Sequence, residues 1–295
     1  MHTCTACPRA CGIDRDTQRG YCGQSNAFRI ARADLHMWEE PCISGTRGSG
    51  TVFFSGCNLG CVFCQNFRVS HRGQGIEVSQ DELIEKMLAL QDRGAHNINL
   101  VTPTHYAVQL ASVFSKVKPM LHIPIVYNTS GYEKIEALEL LSPYVDVWMP
   151  DFKFGSAQLA KDYAGAADYP EVAARAIAKM YEIAGKVQFD ADGMMTRGVL
   201  VRHLVLPGCR KDSVAVLDRL AETIPIQAVR LSLMSQYTPE FATDAPFENL
   251  HRRVTTFEYE SVTRHAERLG FIGYMQQRAS ATAKYTPDFA GTDNM

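Results

Sequence analysis

Three cysteines stand close together in residues 56–66, and their type and spacing could do chemistry. They are Cys57, Cys61 and Cys64, in the pattern Cys-x3-Cys-x2-Cys. Thiolates are soft ligands that suit iron–sulfur clusters or zinc, and three at this spacing can wrap one compact cluster. No further cysteine occurs until Cys209, so a [4Fe–4S] cubane held here would keep one iron open to a substrate. The alternative is a structural zinc site whose fourth ligand comes from elsewhere, such as His71.

A second group of cysteines lies near the N-terminus. It consists of Cys4, Cys7, Cys11 and Cys22. Four thiolates are a complete set for one further metal centre, and zinc and a second [4Fe–4S] cluster both fit. The neighbouring Arg9, Arg15 and Arg19 would stabilise a negatively charged centre of either kind. The remaining alternative is reduced cysteines without metal, and Cys42 and Cys209 are expected to be ordinary thiols.

The composition is that of a globular protein. Of the 295 residues, 46% are hydrophobic and 21% are charged, near the averages for soluble domains. The sequence shows neither a secretion signal at its N-terminus nor an apolar run of about 18 residues, so we predict a cytoplasmic protein without a membrane segment. Nine cysteines in such a chain favour metal or redox chemistry over disulfides. A net charge of −2 gives no electrostatic reason to expect a nucleic-acid partner.

The elements that must position these residues show a regular alternation after residue 50. The predicted strands are residues 51–55, 97–101, 124–127, 145–149, 199–206 and 228–233. The predicted helices are residues 79–93, 106–117, 133–141, a long region up to 185, 213–223 and 247–269, and a last strand follows at 271–275. Ser79, with Glu82 three residues later, predicts a capping box. The alternation predicts an α/β fold with a parallel sheet covered by helices, either a partial (β/α)6 TIM-like barrel or a doubly wound open sheet.

Three regions follow from this pattern. Residues 1–48 show little periodicity and are predicted to be a metal-pinned segment, because such loops bury too little apolar surface to fold alone. Residues 49–240 are predicted to form the barrel, and residues 241–295 a C-terminal helical extension that ends in a tail at 280–295. Chemistry is expected at the carboxyl ends of the parallel strands, where the loop with Cys57, Cys61 and Cys64 follows the first strand.

This cysteine pattern after a first strand resembles the signature of the radical S-adenosylmethionine (SAM) superfamily. Residues 39–45 (Glu-Glu-Pro-Cys-Ile-Ser-Gly), together with residues 48–50 and 56–66, resemble relatives of the pyruvate formate-lyase activating enzymes. The resemblance runs from Cys4 to about Pro239. It implies an open iron chelated by the amino and carboxylate groups of SAM, and a one-electron reductant such as flavodoxin or ferredoxin. Reductive cleavage of SAM would give a 5′-deoxyadenosyl radical, which abstracts a hydrogen atom from a substrate.

The same resemblance assigns roles to residues at the ends of the third and fourth strands. Asp151 and Lys153 match an Asp-x-Lys pattern that contacts SAM. In the activating enzymes a small monovalent cation lies beside the SAM carboxylate, and the matching ligands here are Asn128, Thr129, the Met149 carbonyl and Asp151. Asn128 replaces an aspartate of that group, so this cation site would carry one fewer negative charge.

Three further strand ends complete the predicted SAM site. Thr102 and Thr104 stand where the activating enzymes have a Gly-Gly-Glu stretch, and their hydroxyls could accept hydrogen bonds from the SAM amino group. Arg202 matches an arginine that meets the SAM carboxylate, and the alternative is a buried pair with an aspartate. Gln236 and Tyr237 are candidates to contact the adenine of SAM or the substrate.

The sequence leaves the substrate open between two kinds of molecule. The resemblance implies activation of a glycyl radical enzyme, by abstraction of a glycine hydrogen from a protein loop. The altered stretch after the second strand favours instead a small molecule, a peptide or another macromolecule as substrate. A third interpretation, from a different class, is a non-catalytic iron–sulfur or zinc module that serves in electron transfer or regulation.

Overall fold

A mixed sheet with a long parallel portion forms the centre of the computed structural model, which describes residues 3–276 and Phe289. Its strands are β1 (Phe28–His36), β2 (Ser49–Phe54), β3 (Ile76–Val78), β4 (Ile98–Val101), β5 (Ile125–Thr129), β6 (Val147–Pro150), β7 (Gln188–Phe189), β8 (Met195–Leu204), β9 (Arg230–Met234) and β10 (Gly273–Met275). The helices are α1 (Pro41–Ser44), α2 (Phe67–Ser70), α3 (Gln80–Asp92), α4 (Ala107–Val117), α5 (Ile135–Leu141), α6 (Ala157–Ala164), α7 (Tyr169–Ala184), α8 (Arg210–Thr223) and α9 (Thr256–Leu269).

The strand order distinguishes between the two predicted architectures. Strands β2, β4, β5, β6, β8, β9 and β10 pair in parallel and follow one another in chain order. A doubly wound sheet would reverse its order at a switch point, and this series never does. Strands β1 and β3 add an antiparallel edge beside β2. The α/β prediction with an open, TIM-like barrel is therefore confirmed.

Local signals explain most of the elements. The capping box of α3 forms as predicted, with the Glu82 amide donating to Ser79 Oγ at 3.2 Å and the Ser79 amide donating to Glu82 Oε2 at 2.7 Å. On the outer face of the sheet, α3 buries Leu83 and Met87 in the main apolar core. Burying these side chains against the strands supplies the stability that an isolated helix of this length lacks.

The barrel interior is filled by a segment of the β1–β2 connection, residues 37–48, here called the lumen plug. It contains α1, whose Cys42 and Ile43 pack against Val126 and Leu200, two inward-facing residues of the sheet. The Asn97 side-chain amide donates to the Ile43 carbonyl at 2.7 Å and fixes the plug. The plug carries the carboxyl groups that precede α1 into the interior of the barrel.

The structure contains regular elements that the sequence pattern does not show. Residues 1–48 are predicted to be a metal-pinned segment with little periodicity, and within them β1 is a nine-residue strand that pairs antiparallel with β2. Its charged residues hide the apolar pattern, because the outermost strand β3 pairs only with Phe28, Arg29 and Ile30 and the rest of β1 lies nearer to solvent. The long helical region is two helices, since Gly165 ends α6 at φ 64° and Pro170 lies at the start of α7.

The C-terminal part joins the barrel closely. Helix α9 packs on α8, and β10, close to the predicted last strand, pairs with β9. Most of the predicted tail at 280–295 lies outside the described residues; Phe289 packs edge-on against Phe53, with ring centroids 5.4 Å apart. In the part of the chain that the structure describes, every helix is too short or too polar to cross a membrane.

Candidate functional site

The loop that holds the three cysteines begins at the carboxyl end of β2 and is tied to α6. The Gly60 amide donates to the Ala164 carbonyl at 3.2 Å, and the Val62 amide donates to the Tyr163 carbonyl at 2.9 Å. Gly56, which precedes the loop, has φ 84°, and a Cβ there would collide with the Cys22 carbonyl. A glycine is therefore required at this turn.

Each outer cysteine of this loop has a hydrogen-bond partner. The Leu59 amide donates to Cys57 Sγ at 3.4 Å, and Ser70 Oγ lies 3.2 Å from Cys64 Sγ. Burial raises the pKa of Cys61 to about 12, against the opposing effect of the Lys153 ammonium, and the pKa values of Cys57 and Cys64 are raised in the same way. Thiolates here thus need a bound metal to offset burial.

The donor set fits an iron–sulfur cluster better than a single zinc ion. His71, the predicted fourth zinc ligand, hydrogen-bonds Ser70 Oγ at 2.8 Å and stacks on Phe67 with ring centroids 5.0 Å apart. Within residues 3–276, no three Cys, His, Asp or Glu side chains are grouped as one metal ion requires. A cubane spreads its thiolate ligands over different irons, so three separated sulfurs around one cavity suit it.

A single cavity at the carboxyl ends of the parallel strands brings most of the predicted site together. It is lined by the three cysteines and by Thr102, Asn128, Thr129, Asp151, Lys153, Arg202, Gln236 and Tyr237, as well as by Phe63, Leu204 and Met234. These residues come from six different strand ends. Their convergence is the arrangement expected of an active site on a parallel barrel.

Arg202 is the centre of the polar network under this cavity. Its Nε donates to Asp151 Oδ1 at 2.9 Å, one terminal nitrogen donates to Glu39 Oε2 at 3.1 Å, and the other donates to Asn128 Oδ1 at 2.6 Å. Lys153 Nζ donates to Asp151 Oδ2 at 2.6 Å. The predicted alternative, a buried pair with an aspartate, is therefore present. The three contacts together use three of the five guanidinium N–H groups and leave two without a partner among the described residues.

The charges of this network offset the cost of burial. Burial alone would raise the pKa of Asp151, but Arg202 and Lys153 together lower it below the ordinary value. Burial lowers the pKa of Lys153, yet Asp151 and Cys61 bring it to about 12. The pKa of Glu39 is raised by burial, although Arg202 opposes the shift. Asp151 and Lys153 consequently stay charged at neutral pH.

The two threonines after β4 differ in placement. Thr102 lines the cavity and has φ 58°, a strained value for a β-branched residue, held by its amide donating to the Asn128 carbonyl at 2.9 Å. Thr104 is fully buried and does not line the cavity. Its hydroxyl donates to Glu133 and lies 3.2 Å from that of Thr129. We therefore remove Thr104 from the candidate SAM contacts.

Sequence reasoning missed two buried carboxyl groups. Glu39 reaches Arg202 from the lumen plug, and the only signal for it was its place in residues 39–45. Glu133 accepts hydrogen bonds from Thr104 and Thr129, and burial raises its pKa to about 7. A lone acidic residue before a predicted helix gave no reason to single out Glu133.

The residues predicted to bind a monovalent cation have other partners. Asn128 Oδ1 accepts from Arg202, and the hydroxyl of Thr129 donates to Glu133. Asp151 is shared between Arg202 and Lys153. The cation stays a prediction, and the guanidinium of Arg202 already places a positive charge beside Asn128.

The four N-terminal cysteines lie near one another and beside the cluster loop. Burial raises the pKa of Cys7 and of Cys22, and neighbouring thiols add to the shift: Cys22 and Cys11 at Cys7, and Cys4 and Cys11 at Cys22. All four are free. Both cysteine groups are therefore on the same side of the barrel.

Comparison with known proteins identifies the family of this chain. Residues 51–208 match the model of the Radical SAM superfamily, which is more than half of the chain, and the chain therefore belongs to that superfamily. Membership implies a [4Fe–4S] cluster and SAM. The chain is 27% identical over 277 residues to a protein of Methanocaldococcus jannaschii named "Uncharacterized protein MJ0674", covering 90% of this chain and 74% of that protein.

Solved structures show the same fold at low identity. SuiB of Streptococcus suis, bound to the precursor peptide SuiA, has a TM-score of 0.53 at 13% identity; the match covers 75% of this chain and 46% of SuiB. The chain thus spans less than half of SuiB. A spore photoproduct lyase variant has a TM-score of 0.51 at 10% identity, over 84% of this chain and 79% of that protein.

Proposed function

We propose that this protein cleaves SAM reductively at the cavity between the cysteine loop and Arg202, and that the resulting 5′-deoxyadenosyl radical abstracts a hydrogen atom from a substrate. One observation carries the proposal. Cys57, Cys61 and Cys64 line the same cavity as the buried charges of Asp151, Lys153 and Arg202. Three soft ligands beside a fixed group for an amino-acid carboxylate are what a cluster and SAM require together.

The chain's own residues would divide the work. The three cysteines would hold the cluster, whose chemistry when bound and reduced would be one-electron reduction of SAM with cleavage of a carbon–sulfur bond. The two remaining N–H groups of Arg202 are in a fixed fork that suits a carboxylate, because Asp151, Glu39 and Asn128 hold the guanidinium in place. Binding energy from this carboxylate contact would orient the sulfonium toward the cysteine loop.

Apolar side chains close the rest of the cavity. The cavity is lined by Phe63, Leu204, Leu206, Met234 and the ring of Tyr237. The hydroxyl of Tyr237 donates to the Leu250 carbonyl at 2.5 Å and therefore points away from any ligand. Such walls exclude water from a reactive radical. Gln236 presents the amide group on this side of the cavity and is the candidate for contact with adenine or substrate.

The substrate is proposed from the sequence resemblance and from one structural relative. The resemblance of residues 39–45 and 56–66 to the activating enzymes favours a glycyl radical enzyme. SuiB binds a precursor peptide, which favours a peptide as the second candidate. Two exposed aromatic residues lie beside the cysteine loop, Phe67 directly after it in sequence and Tyr21 with its hydroxyl next to Gly60, and they would provide a surface for either kind of polypeptide.

The test of SAM cleavage uses anaerobically reconstituted protein with dithionite and SAM. We expect 5′-deoxyadenosine from the wild type and from Cys209→Ala, a buried cysteine away from the cavity, and none above background from Cys61→Ala. A fully loaded wild-type cluster that yields no 5′-deoxyadenosine would show a non-catalytic iron–sulfur module instead. Incubation with candidate glycyl radical proteins, followed by electron paramagnetic resonance (EPR), then tests the substrate: a stable organic doublet supports activation, and its absence with every candidate points to the peptide or small-molecule alternative.

A further inference from the structure

The N-terminal segment, residues 3–27, is ordered around its four cysteines. Chain reversals bring them together: the Ala10 amide donates to the Cys7 carbonyl at 3.0 Å, and the Gly12 amide donates to the Cys4 carbonyl at 3.0 Å. The segment has no helix or extended strand and contributes few side chains to the core. A segment of this kind needs a crosslink or a metal to keep one conformation.

A backbone donor meets one of these sulfurs. The Tyr21 amide donates to Cys11 Sγ at 3.3 Å. A donor of this type favours the thiolate over the thiol, and the Leu59 amide meets Cys57 of the radical loop in the same way.

Backbone strain at Ala10 also indicates a metal bound by the neighbouring cysteines. Ala10, between Cys7 and Cys11, has φ 41°, a left-handed conformation that costs a non-glycine residue about 1–2 kcal/mol. Such a conformation persists where the surroundings over-determine it. Metal bonds to Cys7 and Cys11 would hold Ala10 in this conformation. All four thiols are free of disulfides and so are available as ligands.

The arrangement of the sulfurs favours a cluster over zinc. Tetrahedral zinc at Zn–S bonds of about 2.3 Å requires its sulfurs about 3.8 Å apart around one point. Within residues 3–276 no three Cys, His, Asp or Glu side chains are grouped to hold one metal ion, and this includes the radical-loop cysteines. The sulfurs of Cys22 and Cys11 lie 3.5 Å and 3.7 Å from where a Cβ on Gly20 would stand. Ligands spread over separate irons suit this arrangement.

The segment is clamped onto the radical loop. Arg9 donates to the carbonyls of Asn58 at 2.8 Å, Gly165 at 2.6 Å and Ala164 at 3.2 Å, and its guanidinium lies 3.9 Å from the centre of the Tyr21 ring. Asn58 directly follows Cys57. The carbonyl of Cys22 packs against Gly56 on the other side of Cys57. The segment that carries the four N-terminal cysteines therefore contacts the radical loop both before and after its first cysteine.

We propose that Cys4, Cys7, Cys11 and Cys22 together ligate a second [4Fe–4S] cluster, and that Arg9 fixes this cluster against the radical loop through the Asn58 carbonyl. All four irons of this cluster are thiolate-bound, so it offers no open position for SAM. It is a site distinct from the one under the proposed function, and its existence does not depend on SAM cleavage.

Metal analysis of the anaerobically reconstituted full chain is the first test. We expect about eight irons and eight sulfides per wild-type chain, and about four of each when Cys57, Cys61 and Cys64 are all replaced by alanine. In that triple variant the reduced protein should keep an EPR signal that SAM does not change. The control Cys209→Ala should retain about eight irons.

Several outcomes would overturn the proposal. About four irons with one zinc in the wild type would assign the N-terminal site to zinc, and about four irons alone would leave it without metal. The wild-type count needs no variant, so misfolding of a variant does not affect this result. A triple variant that keeps four irons but makes no 5′-deoxyadenosine separates this proposal from the proposed SAM chemistry.

The role of Arg9 has its own test. Arg9→Gln should still load about eight irons, but a chelator should remove half of them at least tenfold faster than from the wild type, because charge-assisted hydrogen bonds to three carbonyls are lost. Arg19→Gln is the matched control, since exposed Arg19 contacts only the Gly23 carbonyl of its own segment, at 3.3 Å. Equal rates for both variants would refute the clamp.

Discussion

Replacing Arg202 by glutamine tests the arrangement of the whole site. The guanidinium lies 2.9 Å from Asp151 and 3.1 Å from Glu39, and both carboxyl groups are largely shielded from water. At an effective dielectric constant of about 20, each contact has a gross Coulomb energy of about 5 kcal/mol. Much of this is offset, because Arg202 loses its own hydration on burial and Glu39 can take up a proton. We therefore expect the substitution to lower the free energy of unfolding by about 3–5 kcal/mol.

The measurement is anaerobic chemical denaturation of cluster-free protein, with two comparisons. Arg219→Gln removes a surface pair with Glu171, also at 3.0 Å, and should cost less than about 1 kcal/mol. The double variant Arg202→Gln/Glu39→Gln should recover part of the loss, because it removes the carboxylate left without its cation. A double-mutant cycle gives this coupling energy directly.

Affinity for SAM separates the two interpretations of Arg202. If its free N–H groups hold the SAM carboxylate, Arg202→Gln should weaken SAM binding to the clustered protein by about 10–100-fold, measured by titration. A loss of stability without a loss of SAM affinity would leave the aspartate pair as the only role of Arg202. A stability loss below about 1 kcal/mol would refute the energetic reasoning itself.

Three further substitutions test separate contacts. Ser70→Ala removes the hydroxyl beside Cys64 and should lower the reduction potential of the cluster by a few tens of mV in an EPR-monitored titration; an equal or higher potential contradicts this. Burial raises the pKa of Glu133 from 4.5 to about 7, so the folded state holds this proton more tightly and the contribution of this carboxyl to stability should fall by about 3 kcal/mol as pH rises from 4.5 to 7. Because buried histidines such as His105 and His203 act in the opposite direction over this range, the measurement is the difference between the wild-type and Glu133→Gln profiles in urea denaturation, and parallel profiles would contradict the assignment. Thr102→Gly should be about 1 kcal/mol more stable than Thr102→Ala, because only glycine relieves the positive φ, while both should weaken SAM binding equally.

The parts of the site that depend on local sequence could be predicted. Cys57, Cys61 and Cys64 are recognisable because a small set of spacings lets neighbouring thiolates reach one cluster. Asp151 and Arg202 could be placed at one cavity because parallel strands direct their carboxyl ends to the same side of a barrel. Each of these inferences needs only the strand that a residue follows.

The parts that depend on non-local packing could not be predicted. Glu39 is separated from Arg202 by 163 residues and meets it only because the lumen plug folds into the barrel. Thr104 seemed equivalent to Thr102 from its type and position, but the short helical turn after β4 directs its hydroxyl to Glu133. In both cases the partner is a carboxyl group whose burial nothing in its immediate sequence indicates.

The lumen plug also explains why an arginine stands on the inner face of β8. Three acceptors surround this position from three elements: Glu39 below, Asn128 on β5 and Asp151 after β6. The planar guanidinium of arginine has five N–H groups, so it can bind all three acceptors and keep two N–H groups for a ligand. The ammonium of lysine has only three N–H groups around one atom. Lysine at position 202 would keep the charge but would have to abandon either a buried acceptor or the ligand. Stability and SAM binding are therefore expected to separate in Arg202→Lys, with most of the stability kept and the SAM affinity reduced.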